Sequence, residues 1–133
     1  MIFVDSSHWI ALRNQRDRWA ATAQQIHRSV ASEQLVTTNH IRGETWTFLH
    51  RKAGHHAAVG FLDLIERSPR LQIVHVDQDT ERRALEWLRR HDEREYSFVD
   101  ATSFAVMRSM KIRKALAFDG DFTAAGFVEL RPT

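Results

Sequence analysis

The chain has 133 residues, of which 43% are apolar and 27% charged, with a formal net charge of +2 and no cysteine. That balance suits one folded domain with a real core, and the missing cysteine excludes a disulfide framework, a thiol nucleophile and a thiolate metal site. No apolar run approaches membrane-spanning length, and Met1-Ile2-Phe3-Val4-Asp5 lacks the basic region and long apolar stretch of a signal peptide, so a cytoplasmic protein with no membrane partner is expected.

Ile2-Phe3-Val4 is an unbroken apolar run ending at Asp5, the pattern of a parallel strand covered on both faces. Asp5-Ser6-Ser7 suits a strand-to-helix turn. Asp5 is therefore either an N-cap or a ligand at the carboxyl end of a central strand, where open α/β sheets place their sites. Arg13 to Arg18 reads as a basic loop. Helical spacing follows from Asp17 to Val30, with Trp19, Ala23, Ile26 and Val30 on one face.

Leu35-Val36-Thr37-Thr38 is a second strand. Asn39-His40 starts a helix that runs to about Lys52 and carries Glu44. Gly43, a poor helix former, suggests close backbone approach. His40 shares a face with Glu44; it caps the helix, supports a ligand by a hydrogen bond, or binds metal itself. Gly54 breaks this helix, and Ala57 to Glu66 forms the next. His55 and His56 point about 100° apart and read as solvated. Leu71 to Val76 is a third strand. Asp77 to His91 is an amphipathic helix with Ala84, Leu85, Trp87 and Leu88 inward and most of its arginines in solvent.

Asp92 to Glu95 is a charged loop. It leads into the run from Tyr96 to Met107, whose one carboxylate is Asp100. A charge among apolar residues is costly unless paired, but in the first turn of a helix over Val99–Met110 it gains from free backbone N–H groups and the helix dipole. Ala115-Leu116-Ala117-Phe118 is the next strand and ends at Asp119. Gly120-Asp121-Phe122 turns into a short helix, and Phe127 to Leu130 forms a last strand.

This alternation predicts an α/β fold, a parallel sheet with helices on both faces. In such a sheet all strand carboxyl ends and helix N-termini share one edge. Asp5, Asp100 and Asp119 gather there, and Glu44 can join them from the first turns of its helix. Ionised carboxylates about 5 Å apart repel by roughly 3 kcal/mol per pair at an effective dielectric of 20. Protons or cations must offset that cost. An all-oxygen site selects hard ions such as Mg²⁺ or Mn²⁺, which activate water for phosphodiester hydrolysis.

The pattern resembles a PIN domain, and specifically the VapC-type toxin ribonucleases of type II toxin–antitoxin pairs. The matching stretches are Ile2 to Leu12, Thr37-Thr38-Asn39 followed by Glu44, Tyr96 to Phe104, and Ala115 to Phe122. They stand in the family's order and span the chain, which implies a single PIN domain over residues 1–133. The resemblance implies a three-layer α/β/α sandwich around a mostly parallel five-stranded sheet. It also implies a Mg²⁺-dependent endoribonuclease with an acidic quartet at Asp5, Glu44, Asp100 and Asp119. Asp121 varies in the family and is expected at the periphery of the site or in a structural role. Ser6 and Thr102 either orient a ligand or water or act as caps. A homodimer and a cognate antitoxin covering the site are implied too.

Candidates for an RNA-binding rim are Arg13, Arg16, Arg18, Arg42, Arg51 and Lys52, each of which also reads as an ordinary solvated residue. Trp9 and Trp46 read as core or dimer contacts before base-stacking ones. Two competing functions are a catalytically weak PIN-like module that binds protein or RNA, and an unrelated α/β phosphatase or phospho-acceptor domain. The intact acidic quartet argues against the first. The lack of a phosphate-cradling glycine loop and of a second aspartate two residues after Asp5 argues against the second.

Overall fold

Ile2, Phe3 and Val4 are all buried, as an apolar run without alternation requires. The computed structural model describes residues 1–133. Strands β1 (Ile2–Val4), β2 (Leu35–Thr38), β3 (Leu71–Val74), β4 (Lys114–Leu116) and β5 (Val128–Glu129) form one sheet in the order β3-β2-β1-β4-β5. Every neighbouring pair is parallel. Central β1 pairs Phe3 with Val36 on one side and with Ala115 on the other.

Two groups of helices flank the sheet. Helices α1 (Ser6–Arg13), α2 (Ala20–Ser29), α3 (Asn39–Ala53) and α4 (His55–Glu66) pack together. Helices α5 (Gln78–Arg90), α6 (Phe98–Met110) and α7 (Asp121–Ala124) form the other group. The result is the α/β/α sandwich expected from the alternation. Phe104 of α6 is fully buried, with ring centroids 5.0 Å from Phe122 and 5.2 Å from Trp87. This packing seats the helix that carries Asp100. No helix is long and apolar enough to cross a membrane.

The element boundaries depart from expectation in instructive places. Arg13 closes α1 rather than opening a loop, and α2 begins only at Ala20, because Asp17 accepts a hydrogen bond from the Trp19 N–H (2.8 Å) in the preceding turn. Helix α3 is capped by Thr38, whose hydroxyl accepts from the Ile41 N–H at 3.0 Å, while Asn39 reaches across to the Val76 N–H at 2.8 Å. Gly54 separates α3 from α4 with φ of 95°, a conformation that costs a side-chain-bearing residue free energy. Gly43 serves no close approach: a Cβ built there meets nothing. On α5 Ala84 and Trp87 are buried and Leu88 packs partly buried against the core, whereas Leu85 is 45% exposed. It lies about 100° round the helix from Ala84. Trp9 is a core residue, and Trp46 packs on the rings of His50 and His55.

Candidate active site

The carboxyl edge of the sheet is built by chain termini of elements, each held by a local hydrogen bond. Asp5 follows β1, is 2% exposed and caps α1. Its carboxylate accepts from the Ser7 N–H at 3.2 Å and the Ser7 hydroxyl at 2.7 Å. The Ser7 hydroxyl in turn accepts from the Phe118 N–H at 3.0 Å, which ties the end of β1 to the segment after β4. The capping reading of Asp5 is thus observed, and it places the carboxylate at the strand end as well.

Asp100 does two things at once. Its N–H donates to the Ser97 hydroxyl at 2.9 Å and its carboxylate accepts from the Ser97 N–H at 3.0 Å, a complete capping box. The side chain is 7% exposed and faces the strand ends. Asp119 lies just after Phe118, and its carboxylate accepts from the Asp121 N–H at 3.2 Å. Between them Gly120 adopts φ of 82°, a left-handed turn that folds Asp121 back. One carboxylate oxygen each from Asp100, Asp119 and Asp121 lies within 4.8 Å of the others.

Glu44 reaches the edge from α3 and accepts from the Ser6 hydroxyl at 2.5 Å. Ser6, the residue after Asp5, therefore ties Glu44 of α3 to the start of α1, while Asp5 and Glu44 both lie outside the three-carboxylate group. Thr102 donates to the Val99 carbonyl at 3.0 Å, and its hydroxyl stands 3.5 Å from His40 Nδ1. His40 thus borders the Asp100 helix.

The electrostatics of this edge match its crowding. Burial, then the charge of Asp119, pushes the Asp5 carboxyl well above its ordinary range. Burial, with the charges of Asp121 and Asp119, raises Asp100 to about 7. Asp119 is raised to about 6 by burial and by the charges of Asp121 and Glu129. Such groups keep their protons to a higher pH than an ordinary carboxylate, unless a cation displaces them. The donors are all carboxylate oxygens, which suits a hard divalent ion and not a thiophilic one.

Residues 2–128 match the family model of the PIN domain. The chain belongs to the PIN domain family. This PIN domain is 56% identical over 132 residues to a protein described as the 23S rRNA-specific endonuclease VapC20 of Mycobacterium tuberculosis, covering 99% of both chains. It is 36% identical over 91 residues to a VapC ribonuclease of Archaeoglobus fulgidus, covering 68% of this chain and 56% of that protein. The crystal structure of Mycobacterium tuberculosis VapC20, described as a sarcin–ricin loop cleaving toxin, superposes with a TM-score of 0.92 at 54% identity, covering 99% of this chain and all of the other.

The basic rim of this PIN domain departs from expectation. Ser6 and Glu44 join the first turns of α1 and α3, so Arg13 and Lys52 lie about 10 Å further along those helices. There they line a separate basic pocket with Arg16. Arg13 also lies across Gly60 of α4, where a Cβ would collide with its guanidinium. Arg51 belongs to the same far end of α3. Arg42 lies two residues before Glu44 on α3 and so points to a different face of that helix.

Asp121 and Arg94 also belong to this edge. Asp121 stands inside the carboxylate cluster rather than at its periphery. Arg94, read only as part of a charged loop, donates from Nε to Asp121 at 2.5 Å and from Nη2 to the Asp119 carbonyl at 3.0 Å. It is the cation paired directly with the cluster. Arg94→Ala is therefore expected to lower the melting temperature of the metal-free PIN domain by a few degrees at mildly alkaline pH. The deficit shrinks as the carboxylates protonate in acid, and again under saturating Mg²⁺. Thermal melts across pH, with and without Mg²⁺, read this directly; a deficit that ignores both would assign Arg94 a packing role alone.

Proposed function

We propose that this PIN domain is a metal-dependent endoribonuclease, the toxin of a type II toxin–antitoxin pair, which cuts 23S ribosomal RNA at the sarcin–ricin loop. The observation that carries the reading is the meeting of Asp100, Asp119 and Asp121 within 4.8 Å at the strand ends. The near-complete overlap with VapC20 supports the choice of RNA.

Asp100, Asp119 and Asp121 would hold Mg²⁺ or Mn²⁺, with Asp5 and Glu44 completing the acidic surround. When bound, the ion supplies Lewis acidity that activates water and stabilises charge on the phosphoryl centre. The chain's own part is positioning. The capping box fixes the Asp100 carboxylate, Ser7 fixes Asp5, and Ser6 fixes Glu44. A hydrogen-bonded carboxylate does not reorganise when charge develops beside it. Arg94 offsets part of the repulsion that the acids exert on one another and on incoming phosphate. His40 stands beside the Asp100 helix, its Nδ1 3.5 Å from the buried Thr102 hydroxyl, and would orient a water or phosphate oxygen from that side. Asp121 is a full member of the proposed ligand set. A second copy of the chain, a cognate antitoxin over the acidic edge and a cytoplasmic location complete the proposal.

A synthetic RNA hairpin carrying the sarcin–ricin loop sequence tests it. Cleavage at one phosphodiester is expected in Mg²⁺, complete loss in excess EDTA, and recovery on adding Mg²⁺ or Mn²⁺ back. Cleavage unaffected by EDTA, or none in Mg²⁺, would contradict the reading.

A further inference from the structure

Beside the acids runs a groove of about 250 Å³ that the proposed chemistry leaves unused. Ile10, Trp19, Phe48 and Phe118 line it with Ser7, and two carboxylates, Asp17 and Asp119, lie in its lining. Trp19 and Phe118 stack with ring centroids 4.8 Å apart and planes 6° from parallel. The Arg18 and Arg131 guanidinium groups lie 5.0 Å and 5.4 Å from the Trp19 ring centroid. Phe48, on the α3 side, is 40% exposed, a large apolar ring left without cover.

We infer that this groove is a stacking site for one nucleobase of the RNA, the base flanking the scissile phosphate. The inference rests on the ribonuclease reading above. Three features select a base over an aliphatic side chain. Phe48 offers an exposed aromatic ring, a surface on which bases stack with little regard to sequence, whereas buried Phe118 already stacks on Trp19 and His8. The Arg18 and Arg131 guanidinium groups over the Trp19 ring place two cations beside the groove, where the phosphates that flank a seated base would meet them. Asp119 lines both the groove and the carboxylate cluster, so a base seated here has its phosphate at the acids. The Ser7 hydroxyl, bonded to Asp5 and to the Phe118 N–H, locks the groove wall to the acidic edge. Seating the base would therefore set the distance between phosphate and carboxylates.

The test combines a protein variant with a modified RNA. The hairpin above is prepared with abasic nucleotides placed singly at positions flanking the cut. For the wild type, one abasic position is expected to raise KM about tenfold, the loss of one stacked base. Phe48→Ala is expected to raise KM about as much on intact RNA and to lose nothing more on that abasic RNA. Phe48 is sufficiently exposed for the variant to fold, and its Mn²⁺ affinity reports that the acidic edge is intact. Trp19→Leu should behave the same way.

Wild-type kinetics on intact RNA for Phe48→Ala, or abasic and protein losses that multiply, would overturn the inference while leaving the ribonuclease reading standing. Unchanged RNA kinetics with weakened antitoxin binding would assign the groove to the protein partner and overturn it too. Absence of any cleavage by the wild type would remove both.

Discussion

Asp100→Asn is expected to lower RNA cleavage by roughly a thousandfold or more, since it removes a charge from the set that would hold the ion. The same change should make the metal-free protein more stable. Asp100 titrates at about 7 instead of its ordinary 3.8, because burial and the charges of Asp121 and Asp119 oppose its ionisation. Between these values the folded chain holds a proton that the unfolded chain has released. Stability of the wild type therefore falls as pH rises through this range, and the asparagine variant escapes that fall. By linkage the upper bound is about 4 kcal/mol, at about 1.4 kcal/mol for each pH unit between the two values. Solvent at the open edge leaves about 2 kcal/mol as the working figure. Asparagine retains an oxygen that can accept from the Ser97 N–H, so the helix cap survives. Melting curves of both proteins should coincide in acid, separate as pH rises towards neutrality, and reverse order under saturating Mg²⁺. A destabilised variant at mildly alkaline pH without metal would show that Asp100 serves the fold alone.

The second large effect concerns protons and metal together. With Asp100 at about 7 and Asp119 at about 6, a divalent ion must displace protons from both in mildly acid solution. Affinity for Mn²⁺ is expected to be about a hundredfold or more weaker at about pH 5 than at about pH 8, with one to two protons released on binding near about pH 6. Because the acids titrate as a coupled set, the rise belongs to the cluster and not to one residue. Isothermal titration in buffers of different ionisation enthalpy measures both quantities. An affinity that does not change with pH would mean that the ion, if bound, sits elsewhere.

The strand ends were the legible part of this site. Asp5 and Asp119 each close a short apolar run, and a parallel sheet brings such positions to one edge. Asp100 was legible for a related reason, since a first-turn carboxylate faces the same edge. Glu44 was placed on the right helix, but its partner Ser6 depends on how α1 and α3 lie side by side, which periodicity does not encode. The positions of Asp121 and Arg94 depend on loop geometry, which periodicity does not encode: the left-handed turn at Gly120 folds Asp121 inward, and Arg94 crosses from the segment before α6 to meet it. Charge and nearness in sequence point to Arg13 and Arg16 as rim residues. The extension of α1 through Arg13 carries both away from the acids. Trp19, in the turn just before α2, reads in the sequence as a core position, yet it lines the same groove as Asp119.

If the carboxylates at the strand ends form the centre that cuts RNA, their loss must abolish the cut in the cell. Mapping of 23S ribosomal RNA 5′ ends after induced expression of the wild type and of Asp100→Asn tests this most directly. One new end within the sarcin–ricin loop, accompanied by growth arrest, is expected in the wild type alone. An equal end in cells expressing Asp100→Asn, or no new end with either protein, would contradict it.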